Sequence, residues 1–267
     1  MPDLANQLRV ETTKAVTTPA WWILAIVLAV VLGGFSVLSS YNVAGGIAAS
    51  GGDPSGLPVN YLYSVPARMG YLVPLLFGTL IVTAEYRHRT IARSLLAMPS
   101  RGLTMIAKSS TALGFGLFFG AIGALIALIA VGGVLAALGQ PTYLDDPETS
   151  GVVLRTPLVF VLWALIGVGL GFLVRSQTIA IVVVLAFTLI LEPVLTTVSG
   201  ENEWFRSFGR FLPGSASMSI AWPPPSTLDG SMVANLDWWQ GSLVLLGYAV
   251  AVLVLGYFIG FRNRDVE

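Results

Sequence analysis

Long apolar runs separated by short polar stretches make up most of the chain after residue 20. A helix needs about 20 predominantly apolar residues to cross the hydrocarbon core of a bilayer. The pattern predicts six such helices, at Trp21–Leu38, Ala67–Ala84, Thr111–Leu138, Leu158–Val174, Ile179–Val198 and Gly241–Phe261. We therefore predict an all-α integral membrane protein, with one transmembrane domain over residues 1–267.

The composition agrees with this pattern. The chain is 55% hydrophobic and only 10% charged, with a mean hydropathy of +0.80, whereas soluble domains carry roughly 25% charged residues. Residues 1–20 are polar, so no cleavable signal peptide is expected, and the first apolar run is interpreted as a retained span.

The basic residues predict which side of the membrane each loop occupies, because Lys and Arg are enriched in cytoplasmic loops. With a cytoplasmic N-terminus, the outer side keeps few of the 14 basic residues, namely Arg68, Arg155, Arg206 and Arg210. An even number of spans then places both termini in the cytoplasm.

The polar N-terminal segment also has a helical pattern. Apolar residues alternate with charged ones ahead of Pro19: Leu4, Leu8 and Val16 with Arg9, Glu11 and Lys14. The pattern predicts an amphipathic helix at the inner leaflet that turns at Pro19 into the first span. A frayed tail is the alternative interpretation.

Two loops and three pairs of glycines have further patterns. Residues 39–65 are rich in Gly, Ser and Pro, which predicts an irregular loop. In the long loop at 199–240, the aromatic residues of WFRSFGRFLPG recur at helical spacing, which predicts either a short interfacial helix or an ordinary aromatic belt. Glycines four residues apart predict close helix packing: Gly116 and Gly120, Gly167 and Gly171, Gly256 and Gly260.

The most basic passage is EYRHRTIARSLLAMPSRGLTMIAKS, residues 85–109, between the second and third spans. Drawn as a helix, it places Glu85, Arg89 and Arg93 on one line and apolar residues on another face. Pro99 then ends the helix, and a turn at residues 100–102 follows. The pattern predicts a short amphipathic cytoplasmic helix, which either docks on another protein or rests on anionic lipid.

The same passage resembles the signature of ABC-2 type permeases, the membrane subunits of one class of ABC exporters. The matching residues, in order, are Glu85, Arg87, Thr90, Leu95, Leu96, Pro99, Ser100, Arg101 and Lys108. Arg89 departs from the pattern, since the family often has Gly there. GVGLGFLVRSQTIAI (167–181), FLPGSA (211–216) and FRNRDV (261–266) resemble further family elements, so the resemblance extends over the whole chain.

The resemblance implies a mechanism and partners. The helix after the second span would be a coupling helix that docks on a separate P-loop ATPase subunit, through Glu85, Arg87, Arg89, Thr90, Arg93, Leu95, Leu96, Pro99 and Arg101. The N-terminal helix would be the connecting helix, and re-entrant helices would lie externally between the fifth and sixth spans. Two permease copies, identical or different, would form the path in a bacterial plasma membrane. The substrate would be hydrophobic or amphipathic: a drug, an antibiotic, a peptide or a lipid.

The residues present exclude several kinds of chemistry. Without cysteine and with a single histidine, the chain cannot build a Cys or His metal site. That histidine, His88, falls in the cytoplasmic basic passage, which excludes a Ser–His catalytic site inside the bilayer. The string GLTMIAKSS has Ala107 where a phosphate-binding loop requires glycine. We expect no enzyme activity and no cofactor or metal in this chain, with ATP and Mg bound by the partner ATPase. Membrane lipid is an expected partner and nucleic acid is not.

Two other functions remain open. A secondary transporter would be expected to carry internal repeats and charges near the membrane midplane. A non-transporting scaffold or sensor would have no dedicated ATPase partner.

One ionisable residue, Glu192, falls inside a predicted span, in LILEPVLTT. Such residues are rare in membranes and mark functional sites. Glu192 could line the path and bind a cationic or polar substrate, or pair with Arg68. The alternatives are that it is hydrated near the surface, or neutral and hydrogen-bonded within the bundle.

Overall fold

The computed structural model describes residues 4–50, 59–88, 101–201, 208–221 and 236–262. These ranges consist of helices and the turns between them, with no β-strand. In chain order the helices are α1 (Leu4–Thr17), α2 (Ala20–Ser50), α3 (Val59–Met69), α4 (Leu72–Arg87), α5 (Arg101–Ala137), α6 (Pro147–Val174), α7 (Gln177–Ser199), α8 (Pro213–Ala221) and α9 (Trp238–Leu255).

Six helical stretches in the described ranges are long and apolar enough to cross a membrane: α2, α3 with α4, α5, α6, α7 and α9. This confirms the number and order of the predicted spans, and the chain is a multi-pass membrane protein. Span two, α3 with α4, and span four, α6, form the centre of the bundle, with 61% and 67% of their most apolar stretches buried. The corresponding buried shares of the other four are 22–33%.

The helices extend further than the apolar runs predicted. The prediction of an irregular loop at residues 39–65 is wrong for its described parts, because α2 continues to Ser50 and α3 already begins at Val59. The predicted turn at residues 100–102 is wrong at Arg101 and Gly102, which open α5. A helix satisfies its own backbone hydrogen bonds, so polar and small residues at the membrane surface can prolong it.

Span two is interrupted between α3 and α4, at Gly70 and Tyr71. Pro74 lies four residues after Gly70, has no N–H for the Gly70 carbonyl, and its ring would clash with that carbonyl. The N–H of Val73 donates to it instead, at 3.1 Å. The break leaves Tyr71 at the start of α4.

The predicted close packing of the glycine pairs is confirmed, and every contact involves α6. A Cβ atom added to any of the six glycines would come within 3.0 Å of an atom of the neighbouring helix. Gly116 and Gly120 of α5 face α6, Gly167 and Gly171 of α6 face α4, and Gly256 and Gly260 after α9 face α6. The backbones of α4, α5 and the helical turn after α9 therefore approach α6 more closely than a side chain at these glycines would allow.

The two ends of the bundle differ in their charged groups. At the end opposite α1, three arginines each lie over an aromatic ring: Arg68 over Tyr61 at 4.3 Å, Arg155 over Trp238 at 4.9 Å and Arg210 over Phe211 at 4.8 Å. Pairs of this kind suit a membrane interface, where one side of the ring is apolar and the other wet. The end that carries α1, called the α1 end below, holds ion pairs between buried side chains.

Candidate functional site

The predicted N-terminal helix is present as α1, and the chain turns at Thr18 and Pro19 before α2 begins. Its inward face carries Gln7 and Glu11, which are 4% and 5% exposed. The amide of Gln7 donates to the Thr104 hydroxyl of α5 at 3.0 Å. Val10 and Val16 are exposed instead. Two polar residues of α1 thus contact the protein, while two of its valines lie on the outer surface.

Four charged side chains form a closed ring at the α1 end, and we call Glu11, Lys14, Glu85 and Lys108 the charge cluster. The Lys14 ammonium lies 2.8 Å from both Glu11 and Glu85. The Lys108 ammonium lies 2.7 Å from the other oxygen of Glu11 and 2.9 Å from Glu85. Each acid contacts both lysines. With two acids and two lysines, the cluster is neutral overall.

Burial explains why the charges of this cluster are paired. Lys108 is 1% exposed, and the side chains of Glu11 and Glu85 are 5% and 9% exposed. Charges so far from water are tolerated only when they are paired and hydrogen-bonded. Burial alone would raise the pKa of Glu11, but the ammonium groups of Lys108 and Lys14 outweigh it and lower that pKa. For Lys14, burial would lower the pKa, but Glu11 and Glu85 raise it.

The charge cluster joins both ends of the segment at residues 89–100. Glu85 lies in the last turn of α4, and Lys108 lies two turns into α5. Glu11 and Lys14 connect that pair to α1. Of the residues predicted to dock on an ATPase, the following lie outside the described residues: Arg89, Thr90, Arg93, Leu95, Leu96 and Pro99.

The remaining predicted docking residues are described. Glu85 is 7% exposed and lies in the last turn of span two. Its part in docking on an ATPase stays a prediction. Its charge is held by the two buried or half-buried lysines. Arg87 is exposed and donates to the Gln177 amide oxygen at 3.3 Å. Arg101 is half-buried at the first position of α5.

A cavity of about 410 Å³ lies beside the charge cluster, between α1, α4 and the start of α7. Its walls are apolar and include Ala15, Phe77 and Ile81. Its rim is polar, with Lys14, Glu85, His88 and Gln177. This combination of an apolar wall and a charged rim suits a ligand that is itself amphipathic.

Glu192 lies inside the bundle toward the end opposite α1, and it is 5% exposed. Its carboxylate accepts hydrogen bonds from the Gly214 backbone N–H, at the start of α8, and from the Tyr71 hydroxyl at 3.4 Å. Arg68 lies over the Tyr61 ring and forms no ion pair with Glu192 within the described residues. Of the sequence interpretations, hydrogen bonding within the bundle matches this geometry.

Two features surround Glu192. A π-helical turn at Phe187–Leu191 precedes it, and widening the helix there accommodates the missing N–H of Pro193. On the other side, the Tyr71 ring stacks on Trp163 at 4.4 Å, and the Trp163 indole donates to Ser217 of α8 at 3.1 Å. These contacts connect α8 to spans two, four and five.

Sequence reasoning did not assign Lys14 and Lys108 to one site. Lys108 could have indicated the charge cluster from the sequence, because a charged residue two turns inside an apolar helix must have a partner. Glu11 and Lys14 at i and i+3 are a second signal. The spacing along the chain could not show that the three helices meet.

Comparisons with protein-family models and with curated proteins find no match. The resemblance to ABC-2 type permeases therefore rests on the residues quoted above. Among the described residues, no group of three His, Asp or Glu side chains could hold a metal ion.

Proposed function

We propose that this chain is the permease subunit of an ATP-driven ABC exporter, with its α1 end in the cytoplasm of a bacterium. It would work with a second permease copy and a separate P-loop ATPase, which binds ATP and Mg. The segment at residues 89–100 would be the coupling helix, α1 the connecting helix, and α8 a re-entrant helix at the outer face.

The observation that carries this proposal is the charge cluster. Glu85 and Lys108 lie on the two helices that flank residues 89–100, 2.9 Å apart. Glu11 of α1 contacts the same lysine at 2.7 Å. A force applied to the segment would reach three helices as one unit, because separating them would expose buried, unpaired charges. In a permease driven by an external ATPase, helices connected in this way would move together when the segment at residues 89–100 moves.

The cavity beside the charge cluster supports an amphipathic or hydrophobic substrate. Its apolar wall would hold the acyl or aromatic part of a molecule, and its rim would meet the polar part. The lining includes His88, after span two, and Gln177, at the start of span five, and under this proposal that end of both spans faces the cytoplasm.

Affinity purification from native membranes in mild detergent tests the proposal. The wild-type chain is expected to recover a P-loop ATPase at near-equal stoichiometry. The variant Leu95→Asp with Leu96→Asp is expected to lose it. The control variant Thr12→Asp with Thr13→Asp adds the same charge at exposed positions of α1 and should retain it.

Recovery of the wild-type chain without any ATPase, under several mild conditions, would contradict the proposal. A secondary transporter or a non-transporting scaffold or sensor would then be favoured. In that case the basic passage at residues 85–109 would be held by anionic lipid.

A further inference from the structure

Arg175 adopts a backbone conformation that glycine adopts more easily. It ends α6 with φ 56° and ψ −15°, in the left-handed region. Glycine is the usual residue at such helix ends, because any Cβ is crowded there. The turn itself is stabilised by Ser176, whose hydroxyl accepts the Ile179 N–H at 3.5 Å. A strained arginine at this position points to a use for its side chain.

Two nitrogens of the Arg175 guanidinium group have no acceptor among the described residues. Its Nε and Nη2 atoms are buried and make no hydrogen bond there. The guanidinium carbon lies 5.7 Å from the centre of the Tyr86 ring. The Tyr86 hydroxyl is also buried and has no hydrogen-bond partner within the part of the chain that the structure describes. Buried donors of this kind are rare and costly, and a bound ligand with acceptor oxygens would satisfy them.

The surroundings of these donors are basic. Arg101, at the start of α5, acts electrostatically on Tyr86 together with Arg175. Arg87 reaches Gln177, two residues after Arg175. The acid that acts on Tyr86 is Glu85, and one of its oxygens is already held by both lysines of the charge cluster. The local excess of positive charge favours an anionic acceptor.

We infer that Arg175, Tyr86 and Arg101 form a binding site for a phosphate group at the α1 end of the bundle. The charged oxygens of a phosphate group accept hydrogen bonds, and the guanidinium fork matches two of them. Spans two, three and four each have an end beside these groups, and basic pockets between the cytoplasmic ends of membrane helices bind anionic lipids. Arg175 as a whole is half-buried, and its flexible side chain can turn its donors toward that surface. This inference is independent of the exporter proposal.

The test measures ligand-induced thermal stabilisation of the purified, delipidated full chain. Phosphatidylglycerol is compared with diacylglycerol of the same acyl chains, which lacks the phosphate, and with inorganic phosphate. The wild-type chain should show a higher Tm with phosphatidylglycerol than with diacylglycerol. Arg175→Gly should weaken apparent affinity for phosphatidylglycerol about tenfold or more, since it removes charge-assisted hydrogen bonds.

The choice of glycine separates binding from folding. Arg175→Gly relieves the left-handed backbone, so its Tm without ligand should equal or exceed that of the wild type. Tyr86→Phe should also weaken binding, because it removes only the hydroxyl. Arg155→Gln is the control, since Arg155 lies at the opposite end over Trp238 and should leave binding unchanged.

The outcomes discriminate the source of the phosphate. A Tm shift with phosphatidylglycerol and none with inorganic phosphate supports the site with a lipid as its ligand. A comparable shift with inorganic phosphate supports the same site with a soluble phosphate compound. Equal responses to phosphatidylglycerol and diacylglycerol, or an undiminished shift in Arg175→Gly, would overturn the inference.

Discussion

Replacing Lys108 with Met removes the most deeply buried cation of the charge cluster while keeping the length of the side chain. Lys108 is 1% exposed and lies 2.7 and 2.9 Å from its two carboxylates. Removing one partner of a buried ion pair typically costs about 3–5 kcal/mol, because the remaining charge stays desolvated. Lys14 still contacts both acids, so we expect the lower end, a loss of about 3 kcal/mol in unfolding free energy.

The matched variant is Lys14→Met. Lys14 contacts the same two acids, each at 2.8 Å, but its side chain is 42% exposed. Water can replace much of the hydrogen bonding that the partly exposed Lys14 ammonium gives to the two carboxylates. Solvent-exposed ion pairs contribute about 0.2–1 kcal/mol to the free energy of unfolding. We therefore expect Lys14→Met to cost about 1 kcal/mol or less. The two replaced lysines have the same side chain and the same two acidic partners, and they differ in how deeply they are buried.

Unfolding in mild detergent, followed by tryptophan fluorescence, measures both variants. Trp21 reports on the region next to α1, since it lies against Phe118 with ring centres 6.0 Å apart. The loss in Lys108→Met corresponds to a fall in Tm of roughly 6–12 °C. Combining it with Glu11→Gln should give a double variant less destabilised than the sum, by about 1–3 kcal/mol. Equal losses in the two lysine variants, or strict additivity with Glu11→Gln, would refute the reasoning.

Three further predictions concern the other features. Because the pKa of Glu11 is lowered in the folded protein, its stabilising contribution is present above the unfolded value of 4.5 and is lost as the pH falls through the lower folded value. Unfolding measured from about pH 7 to pH 3 should therefore show a steeper loss of stability in the wild type than in Glu11→Gln, and parallel curves would argue against this linkage. Gly167→Ala should destabilise the protein by about 1–3 kcal/mol, because its Cβ meets the backbone of α4. Gly114→Ala has open space within 4 Å and should stabilise the helix by up to about 1 kcal/mol, so a similar Tm change in both would disprove close packing. Glu192→Ala should cost about 1–3 kcal/mol by leaving the Gly214 N–H without its acceptor, whereas Glu192→Gln keeps an accepting oxygen and should cost less; equal losses would show that the hydrogen bond contributes little.

The apolar runs alone predicted the number and order of the spans, because a bilayer sets a minimum length for each one. They did not predict where the helices end. Val59 begins α3 well before the apolar run, and Arg101 begins α5 well before the next. Helix ends are set by local hydrogen bonding and packing, which hydropathy does not measure.

The sequence pattern of α1 could not show which face of the helix contacts the rest of the protein. The spacing of its residues indicated only that one face is apolar and the other polar. In a bilayer an apolar face gains little by meeting protein rather than lipid tails, whereas a charge such as Glu11 must find a partner. Similarly, the partners of Glu192 come from Tyr71 and from Gly214, which no spacing rule relates.

The position of α1 has a consequence for the order in which the protein assembles. Glu11 is synthesised 97 residues before Lys108, the lysine that neutralises it. During insertion, spans two and three must enter the membrane before α1 has its final partners, so α1 waits at the surface until both are in place. Its docking on α4 and α5 therefore follows the insertion of both helices during biogenesis. A fusion or truncation at the N-terminus that delays this docking should reduce the yield of assembled protein even if every span inserts normally.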